Sequence, residues 1–399
     1  MTNSAPRVLF VIHQIGSGAD GGIRSIGEMI RAVPDLEKWV VTNIDGAVTD
    51  GLRGSAPVLI WDMTEAGYNQ ARSRLGYRFG QVRSRVRNNV RAWRTMRRFD
   101  ITVLHANDHR AFWNTVFGAR LAGAKVILNV RDTMREGSNV SQWRRALEWC
   151  DRFLLLSHEM VESWRRDLAP ASERPALKRK FAFLYSIVDR TRYFPVDAER
   201  RTALRTELGI GEGPALAYVG RFDEKKDQLA LIRGMLPLLA ATRPDATLYF
   251  VGDFEPAHDP YAAACAAAVQ ELGLAERVCF MGYSARTADW YRAVDIVLLA
   301  SRREGLARCM IESLACGAAF VGTAVCSARE ILEGHDCGIV VPRDDYALVA
   351  TTCANLLGDA AQRDRLAAAG PQVVADLFDA NRQGEAYRVL VSDLVTGPR

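Results

Sequence analysis

The chain has 399 residues, of which 49% are hydrophobic and 25% are charged, and this composition excludes a disordered, collagen-like or coiled-coil protein. Its length suffices for about two to three domains, each with its own core. Residues 1–7 lack the charged start and apolar stretch of a signal peptide, and no window reaches the roughly 18 apolar residues of a membrane-spanning helix. We therefore expect a cytoplasmic protein.

The charge is divided unevenly along the chain. Residues 1–186 carry 29 Lys and Arg against 18 Asp and Glu, a net charge of +11. The remaining residues carry 23 against 29, a net charge of −6, and the two sum to the net charge of +5. The two halves are therefore electrostatically different bodies.

Short apolar runs alternate with helix-length amphipathic segments, which is the pattern of parallel strands joined by helices. The first half contains seven candidate strands: 8–12, 39–44, 57–61, 101–105, 125–130, 152–156 and 181–185. The second half contains six: 215–219, 247–251, 277–281, 295–299, 319–322 and 338–341. Several runs are apolar throughout, as strands are when helices cover both faces of a sheet. The predicted fold class is α/β, with two Rossmann-like doubly wound domains.

The boundary between these domains is predicted within residues 186–195, before a helix at 198–208. Residues 1–190 then form the first domain and residues 191–379 the second. Residues 380–399 include a segment with helical spacing but no following strand. We expect this C-terminal helix to pack back on the first domain.

A glycine-rich turn follows the first candidate strand. Gly16-Ser17-Gly18-Ala19-Asp20-Gly21 fits the Gly-x-Gly-x-x-Gly pattern of dinucleotide-binding sites, with Asp45 after the next strand. Glycines before a helix also occur in plain tight turns and at other phosphate or sugar contacts. NAD binding is therefore one of several interpretations of this turn.

Two basic residues follow the strand at 215–219. Arg221 and Lys226 are five residues apart, and at the carboxyl end of a parallel strand they can converge on a diphosphate. The alternative is a solvated charged loop.

Two acidic residues follow the strand at 295–299. Glu304 lies in the next loop, and Glu312 lies inside a helix that begins near Ala307. Carboxylates there can hold sugar hydroxyls while the helix N-terminus holds an anion, although isolated acids at this spacing are often ordinary surface residues. Because both charged segments follow carboxyl ends of strands in one sheet, we expect them to lie together.

These segments resemble retaining glycosyltransferases of the GT-B fold, in particular glycosyltransferase family 4. The resemblance spans essentially the whole chain, and Glu304-x7-Glu312 is its most specific part. Its other parts are Gly21 and Gly22 followed by Arg24, the loop 220–226, Ala315-Cys316-Gly317, and Glu330 within 327–331. The resemblance implies two domains that face each other across a cleft, with the acceptor bound by the first and the nucleotide sugar by the second.

The resemblance also implies a role for each residue. Glu304 would bind hydroxyls of the donor sugar, Arg221 and Lys226 the diphosphate, and Glu312 the ribose hydroxyls. The further donor-binding positions would be Gly22, Gly305, Leu306, Ala307, Arg308 and Tyr283. The acceptor or the transferred sugar would meet Arg131, Asp132, His105, His109 and Arg24.

The chain departs from the family pattern at three places. Glu304-Gly305-Leu306-Ala307 stands where Glu-Gly-Phe-Gly is frequent, which leaves the backbone amides in place. Arg131 stands where many members have a histidine that faces the transferred sugar. Cys326 and Ser327 stand where a Gly-Gly pair is common, so we expect a narrower pocket beside the donor sugar.

Breaking the bond between the anomeric carbon and the phosphate leaves negative charge on the diphosphate, which Arg221, Lys226 and a helix N-terminus are placed to stabilise. No Asp-x-Asp motif occurs, so we expect no metal and no cofactor other than the nucleotide sugar. The resemblance implies a hexosyltransferase with a UDP-sugar donor first and a GDP-sugar donor second. The acceptor would be a carbohydrate or lipid-linked hydroxyl in polysaccharide or glycolipid biosynthesis.

Residues 72–98 contain ten arginines and an apolar stripe at spacings of three and four: Leu75, Phe79, Val82, Val86, Val90 and Trp93. One interpretation is a helix docked on the sheet with a solvated basic face. The other is peripheral contact with an anionic membrane, at its inner face, or with an anionic acceptor. We expect no nucleic-acid partner, because no recognition motif accompanies the charge.

His105, Asp108 and His109 crowd one short turn after a strand. This crowding favours acceptor contacts or a loop-ordering hydrogen bond over a metal site. Three alternative functions remain open at this stage: a nucleotide-sugar epimerase of the same fold, an NAD-dependent oxidoreductase, and a non-catalytic basic membrane module.

Overall fold

The structure, a computed structural model, describes residues 5–14, 21–63 and 74–397, with the backbone alone for residues 74–79. Residues 16–20 of the glycine-rich turn and the side chains of Leu75 and Phe79 lie outside the described residues. The chain divides into one unit of Met1–Ile187 with Ala380–Arg399, and a second unit of Val188–Asp379.

The first unit contains a sheet of seven parallel strands in the described part of the chain, in the order β3-β2-β1-β4-β5-β6-β7. The strands are β1 (Arg7–Ile12), β2 (Glu37–Thr42), β3 (Val58–Ile60), β4 (Val103–Ala106), β5 (Lys125–Asn129), β6 (Arg152–Leu155) and β7 (Phe181–Phe183). The helices between and after them are α1 (Gly21–Ala32), α2 (Ala47–Arg53), α3 (Arg74–Arg98), α4 (His109–Leu121), α5 (Val140–Trp149), α6 (His158–Asp167) and α7 (Pro175–Lys178).

The second unit repeats this topology with six parallel strands in the order β10-β9-β8-β11-β12-β13. The strands are β8 (Ala215–Val219), β9 (Thr247–Val251), β10 (Val278–Phe280), β11 (Ile296–Leu299), β12 (Ala319–Thr323) and β13 (Ile339–Val341). The helices are α8 (Ala198–Glu207), α9 (Gln228–Gly234), α10 (Leu236–Thr242), α11 (Pro260–Glu271), α12 (Thr287–Ala293), α13 (Arg308–Ala315), α14 (Tyr346–Gly358) and α15 (Ala360–Leu377).

All thirteen predicted strands are present, and the prediction of two doubly wound α/β units is confirmed. The central strands show why the apolar runs were informative. Every residue of β8 is buried, as are five of the six residues of β1. Both faces of these strands are covered, so their side chains do not alternate between apolar and polar.

The last helix, α16 (Ala380–Thr396), belongs to the first unit. Its Tyr387 and Val391 lie in the same apolar core as Phe10 of β1. The helix approaches α1 closely, because a Cβ at Gly384 would stand 2.4 Å from the carbonyl oxygen of Ala32. Glycine at this position therefore lets the two helix backbones pack together.

Helix α3 packs against α4 through small and polar residues rather than through its apolar stripe. The buried row of α3 consists of Ser84, Asn88, Ala92 and Met96. Val82 and Val86 are each 60% exposed. The interpretation in which the stripe docks on the sheet is therefore wrong for the described residues.

Polar contacts explain why this packing is possible. Asn88 Nδ2 donates to Asn114 Oδ1 at 3.1 Å, and the Gly118 amide donates to Asn89 Oδ1 at 3.0 Å. These bonds satisfy buried polar groups that would otherwise be costly. In the described residues, no helix is long and apolar enough to cross a membrane.

The contact at Gly118 yields a test of this packing. An added Cβ would lie 2.0 Å from the carbonyl oxygen of Asn89, so Gly118→Ala must push α3 and α4 apart. We expect a loss of about 2 kcal/mol in the free energy of unfolding, as is typical of overpacking.

Gly80→Ala in α3 is the matched control, because nothing lies within 4 Å of the added Cβ. This change should stabilise by about 0.5–1 kcal/mol, since alanine favours helix more than glycine does. Urea unfolding of both variants measures the difference. Equal effects would contradict the close approach of the two helices.

Candidate functional site

The loops after β8 and β11 lie beside each other at the point where the strand order of the second sheet reverses. In open α/β sheets, the carboxyl ends of strands at such a reversal form a crevice in which ligands bind. A backbone hydrogen bond from the Arg302 amide to the Lys225 carbonyl, at 2.9 Å, joins the two loops. The topology therefore brings together the two charged segments predicted from the sequence.

A pair of glycines lets the backbone close up beneath this crevice. A Cβ at Gly252, after β9, would lie 2.0 Å from the carbonyl oxygen of Gly220, after β8. At Gly220 an added Cβ would meet the Lys226 side chain at 3.6 Å. Close backbone packing thus fixes the conformation of the loop after β8. The Lys226 side chain lies against Gly220, the first residue of this loop.

Lys226 and Glu304 form a largely buried ion pair between the two loops. Lys226 Nζ donates to Glu304 Oε1 at 2.7 Å, and Lys225 Nζ lies 3.3 Å from Glu304 Oε2. Burial disfavours both charged forms, but the mutual attraction outweighs it. The pKa of Lys226 is raised above its usual value, and the pKa of Glu304 is lowered below its own. Both residues are therefore charged around neutral pH.

Glu312 lies one turn inside α13 and is held on both sides. Arg308 Nε donates to Glu312 Oε1 at 2.9 Å, and the Tyr291 hydroxyl lies 3.5 Å from Glu312 Oε2. Glu312 is buried, with 4% of its surface exposed. Its carboxylate therefore has a fixed direction before any ligand arrives.

Cys309 shows that the two acids and the lysine belong to one cluster. Burial chiefly raises the pKa of the Cys309 thiol, nearby Lys226 lowers it, and Glu304 and Glu312 raise it, with a net pKa of about 11. All three charges act on this one buried thiol. Lys226 is in direct contact with Glu304, and Glu312 lies on the helix that carries Cys309.

The N-terminus of α13 adjoins this cluster, because the helix begins between Glu304 and Glu312 in the chain. Ala307 occupies the N-cap position, and no side chain caps the helix there. Gly305, Leu306 and Ala307 are buried. The first-turn amides of the helix, together with its dipole, are therefore suited to an anion.

Ser327 fixes the loop that carries Glu304. Its backbone has φ +71°, in the left-handed region that favours glycine. Its buried hydroxyl donates to the Gly305 carbonyl at 2.6 Å, and Thr323 Oγ1 donates to the Ser301 carbonyl at 2.9 Å. The end of β12 thus holds the loop after β11 at two points. The sequence departure at Ser327 accounts for this hydrogen bond, which glycine cannot make.

Arg221 is not part of this buried cluster. Its side chain is 74% exposed, and its Nη2 lies 3.5 Å from Asp223 Oδ2. The second cation on Glu304 is Lys225, which sequence reasoning did not single out. The two adjacent lysines were the available signal, but their directions depend on the loop backbone.

Of the other predicted donor residues, Tyr283 of the second unit is exposed to solvent. Tyr283, in the loop after β10, is 68% exposed. The amide of Gly252 donates to the Gly282 carbonyl at 2.9 Å, which places this loop next to the loop after β9. In the first unit, Gly22 and Arg24 lie in the first turns of α1 and are half-buried.

Arg131 follows β5 of the first unit and is held by asparagines. Its Nη1 donates to Asn129 Oδ1 at 2.7 Å and lies 3.5 Å from Asn107 Oδ1. The neighbouring Asp132 accepts from the Thr133 amide at 2.9 Å through Oδ1. These contacts orient both side chains at the carboxyl end of β5.

His105 is placed in the core and not on a binding surface. Its ring is almost fully buried, and its Nδ1 lies 2.9 Å from the Tyr387 hydroxyl of α16. Burial, aided by nearby Arg131, lowers the pKa of His105 to about 3, so the ring is neutral. His105 therefore contacts the C-terminal helix, and the predicted acceptor contact is not seen in its surroundings.

Asp108 and His109 order the start of α4. Asp108 Oδ1 accepts from the Ala111 amide at 2.7 Å as the helix cap, and burial raises the pKa of its carboxyl. Trp113 Nε1 donates to His109 Nε2 at 2.8 Å, and burial lowers the pKa of His109 to about 4. Among the described residues, no group of three or more His, Cys, Asp or Glu is arranged to hold a metal ion.

Residues 213–359, which contain the whole cluster, match the family model described as Glycosyl transferases group 1. This part of the second unit is therefore similar to glycosyltransferase group 1 domains. A solved structure of the Anabaena protein Alr3699/HepE in complex with UDP and glucose superposes on this chain with a TM-score of 0.79. It has 19% sequence identity and covers 97% of this chain and 99% of the Anabaena chain. The two Rossmann-like units therefore share the fold of this solved structure.

Two relatives share part of their sequence with this chain. N-acetyl-alpha-D-glucosaminyl L-malate synthase of Bacillus anthracis is 24% identical over 253 residues, which is 63% of this chain and 62% of that protein. The lipopolysaccharide core biosynthesis mannosyltransferase LpsB of Rhizobium meliloti is 30% identical over 180 residues, which is 44% of this chain and 50% of that protein. The chain therefore spans between half and two thirds of the length of these relatives.

The buried pair predicts one pH dependence of stability for the native protein and a different one for Glu304→Gln. Lys226 has a raised pKa when folded, so its stabilisation is present below the usual value of 10.5 and is lost as pH rises further. The lowered pKa of Glu304 contributes stability above the usual value of 4.5, which is lost as pH falls. The native protein should therefore hold a plateau between these values.

In Glu304→Gln, burial acts on Lys226 without the compensating carboxylate. The variant should lose about 3 kcal/mol at neutral pH, as when a buried pair is broken. Because the pKa of Lys226 then falls below its usual value, stability should recover as pH rises towards that value. Denaturant unfolding across this pH range, with the exposed-site variant Glu333→Gln as control, measures both effects. A loss independent of pH would show that Lys226 is not the group left unpaired.

A second pair of variants separates the hydrogen bond of Ser327 from its backbone conformation. Ser327→Ala loses the bond to Gly305 but keeps a side chain at φ +71°, and should cost about 1 kcal/mol. Ser327→Gly also loses the bond, but it removes the backbone strain of a side chain at positive φ, which is worth about 1 kcal/mol. Its free energy of unfolding should therefore be nearly that of the native protein. Thermal unfolding of both variants tests this order, and a glycine variant less stable than the alanine variant would contradict it.

Proposed function

We propose that this protein is a retaining glycosyltransferase that moves a sugar from a nucleotide-diphosphate donor to an acceptor hydroxyl in glycan or glycolipid biosynthesis. The observation that carries the proposal is the buried ion pair of Lys226 and Glu304, 2.7 Å apart, at the strand-order reversal of the group 1 domain. A buried cation and a buried acid side by side suit a ligand that has both a diphosphate and a polyhydroxylated ring.

The diphosphate would lie against Lys226, Lys225 and the first-turn amides of α13. These groups are placed for the negative charge that grows on the diphosphate as the anomeric carbon–oxygen bond breaks. Arg221, exposed at the mouth of the loop, can reach the outer phosphate oxygens from solvent. The chain thus offers its own cations for the leaving group, and we propose that transfer needs no metal.

Glu304 would accept hydrogen bonds from donor-sugar hydroxyls, and Glu312 from the ribose. Arg308 already fixes Glu312, so that the ribose would meet a carboxylate of set direction. Tyr283, in the loop after β10, would contact the base. A UDP-sugar is our first choice of donor and a GDP-sugar the second, with UDP favoured by the UDP complex of the Anabaena protein.

Transfer with retention needs the acceptor to approach from the face that the diphosphate leaves. The bond from the anomeric carbon to the phosphate oxygen breaks, the bond from the same carbon to the acceptor oxygen forms, and the acceptor's proton passes to the departing phosphate oxygen. No protein base is needed in this scheme, because the departing phosphate oxygen accepts the proton. Arg131 and Asp132 of the first unit would meet a carbohydrate or lipid-linked acceptor.

Release of UDP tests this proposal without knowledge of the acceptor. The purified protein is incubated with UDP-sugars, GDP-sugars or NAD in the presence of EDTA, with nucleotide release and the mass of the sugar product followed. We expect slow release of UDP, and faster release when a cell extract supplies acceptors. An epimerised donor with no transfer, or protection against heating by NAD alone, would contradict the proposal.

Glu304→Gln then tests the assigned role. Turnover should fall by about 10²–10³-fold, as when one preorganised hydrogen-bonding group of an active site is lost, while UDP binding measured by calorimetry is largely kept. Glu333→Gln, exposed at the end of the helical segment Arg329–Glu333 of the same unit, is the matched control. Unchanged turnover in Glu304→Gln would remove this residue from the reaction.

A further inference from the structure

The outer surface of α3 and α4 carries a continuous set of large apolar side chains, which we call the α3–α4 face. It comprises Val82, Val86, Val90 and Trp93 of α3 with Phe117 and Leu121 of α4. Leu121 is 77% exposed, and the two valines at 82 and 86 are 60% exposed. These side chains line an open groove of about 400 Å³. A contiguous apolar surface of this kind marks an interaction site more often than single exposed side chains do.

The orientation of α3 that exposes the α3–α4 face is fixed by specific contacts on its buried side. The opposite side of α3 is already packed on α4 through Asn88 and Gly118, with hydrogen bonds that a rotated helix would lose. A Cβ at Gly118 would touch the α3 backbone, so the two helices are fitted to each other in this orientation. The apolar row therefore points outward as the consequence of a specific polar interface beneath it.

A row of arginines borders the α3–α4 face. Each residue of this row follows an apolar position of α3 by one residue and is exposed: Arg83, Arg87, Arg91 and Arg94. Helix α3 contains no Asp or Glu, and neither does α4. Of this row, Arg87 pairs with Asp62 at 2.6 Å. The border of the face is thus cationic, and neither helix contributes an acidic side chain that would neutralise it.

We propose that the α3–α4 face docks on the surface of an anionic lipid bilayer. Trp93 and Phe117 would enter the headgroup region, as aromatic side chains do in interfacial helices, while the arginines contact lipid phosphates. A second copy of this chain is the disfavoured occupant, because the arginine rows would then face each other. This inference concerns the first unit alone and does not depend on the donor site of the second.

Vesicle sedimentation tests the proposal on the full chain. The protein is mixed with vesicles of phosphatidylcholine alone, or of phosphatidylcholine with phosphatidylglycerol, at low and high salt. We expect binding to the anionic vesicles at low salt, weakened by added salt, and little binding to phosphatidylcholine alone. No binding to anionic vesicles at low salt would overturn the proposal.

Two pairs of variants assign the binding to this face. Arg83→Gln with Arg91→Gln should lower the partition coefficient by about thirtyfold, since each basic residue near an anionic surface contributes roughly fivefold. Arg166→Gln with Arg179→Gln, exposed elsewhere on the first unit, should leave it nearly unchanged. Equal losses in both double variants would show a general charge effect and would overturn the assignment to this face.

The apolar contribution is tested in the same way. Val82→Ser with Val86→Ser should weaken binding about tenfold or more. Neither this double variant nor the double arginine variant of the face should shift the thermal unfolding midpoint, because all the substituted side chains are exposed. Val389→Ser with Leu238→Ser is the matched control, because these side chains are 50% and 46% exposed on other surfaces. Binding that persists in Val82→Ser with Val86→Ser, or a dimer in ultracentrifugation that this variant dissolves, would overturn the proposal.

Discussion

The ion pair of Lys226 and Glu304 is the constraint on which the second unit's site depends. Taking a cation and an acid out of water costs several kcal/mol for each ion, and an apolar pair of similar volume is often as stable. Stability alone therefore does not explain why the pair is present. Its position does, since it closes the gap between the loops after β8 and β11 at the strand-order reversal.

The neighbouring contacts serve this pair. The Arg302 amide bonded to the Lys225 carbonyl holds the two loops in register, and Ser327 holds the Gly305 carbonyl from the end of β12. Because the groups that would meet a donor are fixed in advance, little reorganisation is needed when charge develops in the reaction. Lys226 would already be charged when a donor binds. Its ammonium group would then contact both the donor and Glu304.

The sequence predicted the fold well because its signals were local. Strands buried on both faces appear as apolar runs, and parallel topology then aligns their carboxyl ends, so that Glu304, Glu312 and Lys226 could be expected together. The direction of a single loop side chain carries no such signal. For this reason the contact of Lys225 with Glu304 could not be predicted from the sequence.

Two other features depend on contacts that are distant in the chain. An amphipathic pattern tells which residues of α3 share a face, but not which face is buried. Here the buried face is the row that begins at Ser84 and Asn88 and meets α4. The surroundings of His105 are set by Tyr387, which lies 282 residues away. Neither outcome follows from local spacing, because each depends on how separate elements pack.

A crystal structure of the protein with a UDP-sugar would test the central claim most directly. We predict the diphosphate within hydrogen-bond distance of Lys226 Nζ and the first amides of α13, with the sugar hydroxyls on Glu304 and the ribose on Glu312. A donor bound elsewhere, with Lys226 and Glu304 still closed on each other and untouched by it, would contradict the claim.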